Sequence, residues 1–349
     1  MLEGCSAALL FFKFLTDIGV LVQMHIISDE KITEFSHFLK NHDFFYIIAH
    51  KDPDGDAIFS CLGMADILKA QNLPYQLLSA GPFKRPEIRS KAKLFTNEMK
   101  FLSEPERKKT GLIILDCSEM ARLGEIEGDL KNLDTYIIDH HKTAEVSTQC
   151  IIDPTSPATA CLVQQIYEKL IGTVPKETAE NLFRGLSTDT GYFRFLNTDS
   201  AEVFRQAARL VESGANPRKT YDEITGGKPY TTRKLLGIML DRVERRYNNK
   251  LAVTYETLDD TKKWGQEGRD SDSLYSLLLS VDGIEAVLFV RQDTELTCTC
   301  GFRSRDKIDV SAIAAKFGGG GHKNAAGLSI DGKIPDVVEK ICAEFKKVL

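Results

Sequence analysis

What most constrains this chain is a repeated join between a short apolar run and a polar cluster. Phe44–Ala49, Leu112–Leu115 and Thr135–Ile138 read as strands covered on both faces. They run into His50-Lys-Asp-Pro-Asp54-Gly-Asp56, into Asp116, and into Asp139-His140-His141. Tyr75–Ala80 reads as another strand, and helical periodicity covers Ala57–Ala70. In an open parallel sheet, ligands bind outside the carboxyl ends of the strands. The pattern therefore predicts an α/β fold whose Asp- and His-rich loops converge on one site.

A length of 349 residues allows two domains. A helix begins after Ser28, with Ile32, Phe35, Phe38 and Leu39 on one face and His37 and His42, like His25 before it, read as surface residues. Further helices are expected over Ala158–Leu170, Pro175–Leu186 and Ser200–Ser213. Gly214–Thr232 is polar and carries both Pro and Gly, the composition of a connection. Beyond it come a helix over Arg233–Tyr247, strands at LAVTYE, AVLFVR and LTCTCGF, a helix near Val310–Phe317, a glycine run, and a last helix from Pro335. The expected layout is residues 24–213, a linker at 214–232, and a smaller α+β domain at 233–349.

Charge narrows the partners. The net charge is −5 and the isoelectric point is about 5.9, which argues against binding to long duplex nucleic acid. Short anions remain compatible with a locally positive or metal-loaded cleft. No apolar stretch reaches the length of a bilayer span, so no membrane partner is expected. Residues 1–23 carry Glu3, Lys13 and Asp17, which break the pattern of a secretory signal; they read as an extension, with Met24 as the natural start. Eight cysteines form no CxxC pair and read as buried thiols of a reducing cytoplasm. Cys298 and Cys300 alternate along a strand and share a face.

The chemistry lies in the clusters. His50, Asp54 and Asp56 offer imidazole nitrogen and carboxylate oxygen, which suit hard divalent ions; the same residues also form a turn and a helix cap. Asp116 and Asp189, the latter in Ser-Thr-Asp-Thr-Gly, are each ambiguous alone. Asp139, His140 and His141 are costly to desolvate unless paired or metal-bound. Together they predict a site with room for two metal ions. Phe317 is followed by Gly318, Gly319, Gly320, Gly321 and His322, and consecutive glycines at a helix start let backbone N–H groups converge on an anion. Arg303 and Arg305 would add charge-assisted contacts.

In order and spacing, HKDPDGDA, LDCSEMARLG, DHH, STDTGYFRF and GGGGHKNAAG resemble the DHH-family phosphoesterases with a DHH-associated C-terminal subdomain, from about residue 40 to residue 330. The likeness is strongest to the NrnA-like oligoribonuclease and pAp-phosphatase branch. It implies a parallel-sheet DHH domain with helices on both faces, a smaller α+β domain, and an active site in the cleft between them. It implies two Mn²⁺, with Mg²⁺ or Co²⁺ as substitutes: one held by His50, Asp54 and Asp116, the other by Asp56, Asp116, His140 and Asp189. Asp139 would orient the histidines, and His141 would face the substrate. Arg303, Gly318–Gly321 and His322 would hold a second phosphate or the 5′ nucleotide, while Arg122 and Arg194 flank the motifs. Phe59 departs from the family pattern, in which relatives often have a smaller residue there. The implied reaction is hydrolysis of short oligoribonucleotides or pAp to mononucleotides, without a Ser or Cys nucleophile. Two rivals stand at this point: a cyclic-di-AMP phosphodiesterase and a nucleotide-binding sensor without turnover. A homodimer is left open.

Overall fold

The computed structural model describes residues 26–141, 149–305 and 307–349; the N-terminal extension lies outside the described residues. Two compact units meet at Gly227 and Lys228. In the first, strands β1 (Phe44–Ile48), β2 (Tyr75–Leu78), β3 (Thr110–Leu115), β4 (Asp134–Asp139) and β5 (Cys150–Ile152) form a parallel sheet in the order β2-β1-β3-β4-β5. The chain leaves β1 for β2 on one side and returns to β3 on the other, so a crevice opens outside the ends of β1 and β3. Register keeps those ends level: Ile48 pairs with Ile114, and Leu115 with Ile138. His50, Asp116 and Asp139 therefore emerge together.

Helices α1 (Asp29–Asn41), α2 (Gly55–Ala70), α3 (Thr159–Leu170), α4 (Lys176–Asp189) and α5 (Ala201–Glu212) contribute to the core on one face of the sheet. The other face buries Tyr46, Ile48, Ile114 and Ile137 against Met99, Cys117, Leu123 and Leu133 from the connecting segments. Helix α2 is buried almost all round, which fits its even apolar composition. Its approach to α4 depends on glycine. A Cβ on Gly55 would meet the Thr188 side chain at 2.5 Å, and one on Gly185 would meet Ala160 Cβ at 2.8 Å and Asp56 Oδ1 at 3.1 Å. Phe59 is fully buried beneath the Arg184 guanidinium, 5.8 Å from its ring centroid.

The fold departs from the sequence expectation at His42 and over residues 214–232. His42 is not a surface residue: it is buried, its Nδ1 lies 2.8 Å from the Phe38 carbonyl, and its Nε2 lies 3.2 Å from Asp134. It sits just past the end of α1, where the chain turns into β1. The polar stretch 214–232 is also not all loop. Asn216 caps helix α6 (Pro217–Thr225) by accepting from the Lys219 N–H, and Pro217 occupies the first turn.

The second unit opens with α7 (Tyr230–Asp241) and builds a sheet from β6 (Glu244–Arg246), β7 (Leu251–Glu256), β8 (Ala286–Gln292), β9 (Thr297–Ser304), β10 (Gly320–His322) and β11 (Ala325–Asp331). Their order is β10-β11-β9-β8-β7-β6, with only β7 and β8 parallel. The expected helix over Arg233–Tyr247 stops early because Tyr247, Asn248 and Asn249 all have positive φ and close a hairpin between β6 and β7. Helices α8 (Leu258–Trp264), α9 (Ser271–Leu279), α10 (Val310–Ala315) and α11 (Ile334–Phe345) complete the unit, with α10 and α11 joining the core that contains Cys298, Cys300 and Phe302. The seven described cysteines are buried, with no disulfide among them. No helix among the described residues is long and apolar enough to cross a membrane.

The α2–α4 contact yields a prediction. Gly185→Ala forces a methyl between Ala160 and Asp56 and should cost about 1–3 kcal/mol of stability. A lowered thermal midpoint is the expected result, and an unchanged one would show that the helices have slack.

Candidate metal centre

The polar ends of the strands meet in one cluster. Asp54 is the N-cap of α2, its Oδ1 accepting from the Ala57 N–H at 3.1 Å, so it serves as cap and cluster member together. Two residues on, Asp56 is fully buried. Its Oδ2 accepts from the Thr159 N–H at 2.6 Å, and its Oδ1 accepts from the Ala160 N–H at 2.9 Å and the Ser60 hydroxyl at 3.2 Å. The start of α3 thus partly compensates a charge that burial disfavours. Asp116 follows β3 with φ at 58°, a left-handed conformation uncommon outside glycine and enriched at functional sites. Its Oδ1 accepts from the Thr159 hydroxyl at 3.1 Å.

The imidazoles lie between these carboxylates. His140 Nε2 is 3.3 Å from Asp116 Oδ1, 3.2 Å from Asp189 Oδ2 and 4.0 Å from Asp56 Oδ2, while its Nδ1 lies 3.2 Å from the Ser156 carbonyl. His50 Nε2 is 3.5 Å from Asp116 Oδ2, and its Nδ1 faces the Lys51 carbonyl at 2.8 Å. Asp139, at the end of β4, accepts on Oδ1 from the His140 and His141 N–H groups and lies 2.7 Å from His141 Nδ1. Its Oδ2 is buried without a hydrogen-bond partner among the described residues. Asp189 is the last residue of α4, so its helix-ending and cluster roles coincide.

Charge coupling shifts these groups in opposite directions. Burial, then the charges of Asp116 and Asp189, raises the Asp56 carboxyl well above its ordinary range. Asp116 is also buried, yet its contacts with His140 and His50 hold it below that range. Burial opposes charging of His140, but the Asp116 hydrogen bond and the surrounding carboxylates lift it to about 10. Burial lifts Asp189 to about 6, against the pull of His140 and with a further push from Asp116 and Asp54. The Asp139 hydrogen bond raises His141, with burial opposing it.

Such crowding of buried like charges calls for a counter-charge. Potential ligand atoms of His50, Asp54 and Asp116 lie within 4.8 Å of one another; the same holds for Asp56, His140 and Asp189, and for Asp116, His140 and His141. Carboxylate oxygen with imidazole nitrogen and no thiolate fits a hard or borderline divalent ion.

In the second unit, the glycine run does not start a helix. It follows α10, where the Gly318 and Gly319 N–H groups donate to the Ala315 and Ala314 carbonyls. Gly320–His322 then forms an exposed edge strand. Register places His322, Ala325 and Arg303 in one row across three strands, beside a row of Gly320, Gly327 and Gly301. The Arg303 guanidinium lies over the Tyr275 ring, 4.6 Å from its centroid, and donates to the Phe302 carbonyl at 2.9 Å. Arg305 instead donates to the Leu279 carbonyl at 2.6 Å. Arg122 lies in a short 3₁₀ turn after β3, and Arg194 stacks on Phe195 at 4.9 Å.

A parallel sheet with this carboxylate–imidazole cluster defines a class that comparison also finds. Residues 44–186 match the DHH family, N-terminal domain, and residues 248–349 match the DHHA1 domain. The chain is 33% identical over 293 residues to the bifunctional oligoribonuclease and PAP phosphatase NrnA of Thermus thermophilus, covering 82% of this chain and 84% of the relative. It is 23% identical over 303 residues to the protein of that name in Bacillus subtilis, covering 85% and 93%. An exopolyphosphatase-related protein from Bacteroides fragilis shares the fold, with a TM-score of 0.76, 23% identity, and coverage of 93% and 98%. The chain belongs to the DHH family of phosphoesterases, with a DHHA1 domain as its second unit.

Thr159 is a supporting residue that its sequence context did not mark, because no motif surrounds it and only folding brings it to Asp56 and Asp116. Thr159→Val removes the hydroxyl while keeping the backbone donor. It should weaken divalent-cation affinity about 10–100-fold by calorimetric titration, as loss of a group orienting a ligand does. Unchanged affinity would show that Asp116 needs no such support.

Proposed function

We propose that this phosphoesterase hydrolyses short oligoribonucleotides, pAp or both to mononucleotides, with two divalent ions, Mn²⁺ in the cell. The observation that carries this reading is the pair of donor groups, His50/Asp54/Asp116 and Asp56/His140/Asp189, gathered where the ends of β1, β3 and β4 meet the start of α2 and the end of α4. We assign one ion to the first group and the other to the second, with Asp116 shared because it contacts both His50 and His140. Likeness to NrnA proteins, whose names state both activities, supports the choice of substrate.

When bound, such ions make a coordinated water acidic and supply counter-charge to phosphate oxygens. This chain's own residues do the rest. Asp139 fixes the His141 ring through Nδ1, leaving Nε2–H to donate to a phosphate oxygen or to give its proton to the leaving-group oxygen. The His140 ring is steadied on its other side by the Ser156 carbonyl. In the DHHA1 domain, Arg303 and His322 share a row and are assigned a second phosphate or the 5′ nucleotide, with exposed Gly320 admitting close approach to the backbone. We place the protein in the cytoplasm, in keeping with buried cysteines that form no disulfide among the described residues.

The test is a substrate panel with Mn²⁺, read by chromatography. Dinucleotides and pAp should be hydrolysed, and rates should fall steeply as RNA lengthens. Equal rates on a dimer and a long oligomer would contradict the assignment to short substrates. Binding of nucleotides without hydrolysis of any would support a sensor instead.

A further inference from the structure

The segment between β2 and β3 is the most basic stretch beside the cluster's loops. Lys84, Arg85, Arg89, Lys91 and Lys93 lie within residues 84–94 with one acid, Glu87, in a chain of net charge −5. The segment is anchored rather than loose. Ile88 is fully buried in the core, Phe83 packs against it, and the Phe83 and Phe95 ring centroids are 5.5 Å apart. Its start is tied to the loop that carries His50 and Asp54: the Asp52 N–H donates to the Gly81 carbonyl at 2.8 Å, and Lys84 Nζ pairs with Asp52 at 2.5 Å. Lys84 is therefore committed. Arg85 is not. Its Nη2 stands 3.9 Å from Asp54 Oδ2, too far for a hydrogen bond, and its side chain is 55% exposed.

We propose that Arg85 binds a phosphate group of the substrate, and that the strip behind it, with Arg89 and Lys93 exposed, draws short anionic nucleotides toward the cluster. The proposal rests on the phosphoesterase reading above. A planar guanidinium has paired donors that match two phosphate oxygens, and here no hydrogen bond to Asp54 occupies them. Arg85 faces a carboxylate of the first donor group, so divalent ions in the cluster would remove the attraction that now holds it. A phosphate lying between the ions and the guanidinium would satisfy both. A cationic strip beside an acidic site also gives an otherwise acidic protein local attraction for anions.

The experiment compares wild type, Arg85→Ala and Arg85→Lys, each loaded with Mn²⁺, by calorimetric binding of adenosine monophosphate, by metal content, and by kinetics on a dinucleotide and on pAp. Arg85→Ala should keep its Mn²⁺, bind the nucleotide about ten- to a hundredfold more weakly, and lose kcat/KM mainly through KM. Arg85→Lys should recover part of the loss by restoring the charge without the fork. The kcat/KM of Arg85→Ala should also respond less steeply to salt. Nucleotide binding equal to wild type would overturn the proposal, as would loss of Mn²⁺, which would make Arg85 a support for Asp54. If wild type binds nucleotide through Arg85 yet hydrolyses nothing, the assignment stands and the hydrolytic reading fails.

Discussion

The contact between Asp116 and His140 is the interaction on which the site depends. Asp116 touches His50 on one side and His140 on the other, and His140 continues the chain to Asp189 and Asp56. Nearly every member is partly or wholly buried, so each charge is disfavoured alone and favoured only by its neighbours. The left-handed backbone at Asp116 is a local cost that the surrounding hydrogen bonds sustain. A divalent cation relieves the same crowding.

The scaffold serves that cluster. Parallel register brings the ends of β1, β3 and β4 level, and the glycines at 55 and 185 let α2, α3 and α4 close around Asp56. The start of α3 places two backbone donors on Asp56 and one hydroxyl on Asp116. Packing and electrostatics are therefore one problem here, since a displaced helix also removes the compensation of a buried carboxylate.

Much of the cluster was legible in the sequence because each polar group ends a recognisable apolar run. Asp54, Asp116, Asp139 and Asp189 stand where a strand ends or a helix begins or ends, and the two histidines follow β4 directly. Residues without a local signature were not legible. Thr159 lies 103 positions from Asp56 and meets it only through tertiary packing. His42 continues the face of Phe38 and Leu39, four and three residues on, but an imidazole carries no apolar signal to mark it as buried. The glycine run was visible, but its local role was misread: it caps the end of α10 and becomes an edge strand, a distinction set by whether its amides close a helix or open one. Arg85 escaped notice because its significance is its distance from Asp54, which composition does not carry.

Asp116 contacts both His50 and His140 and is the one carboxylate placed to join two cation sites. The direct measurement is bound Mn²⁺ per chain in wild type and Asp116→Ala, by mass spectrometry of protein equilibrated with the ion, with folding confirmed by circular dichroism. Wild type should hold two ions and the folded variant fewer than two, with turnover abolished. A folded Asp116→Ala protein that retains both ions and its activity would contradict that role for Asp116.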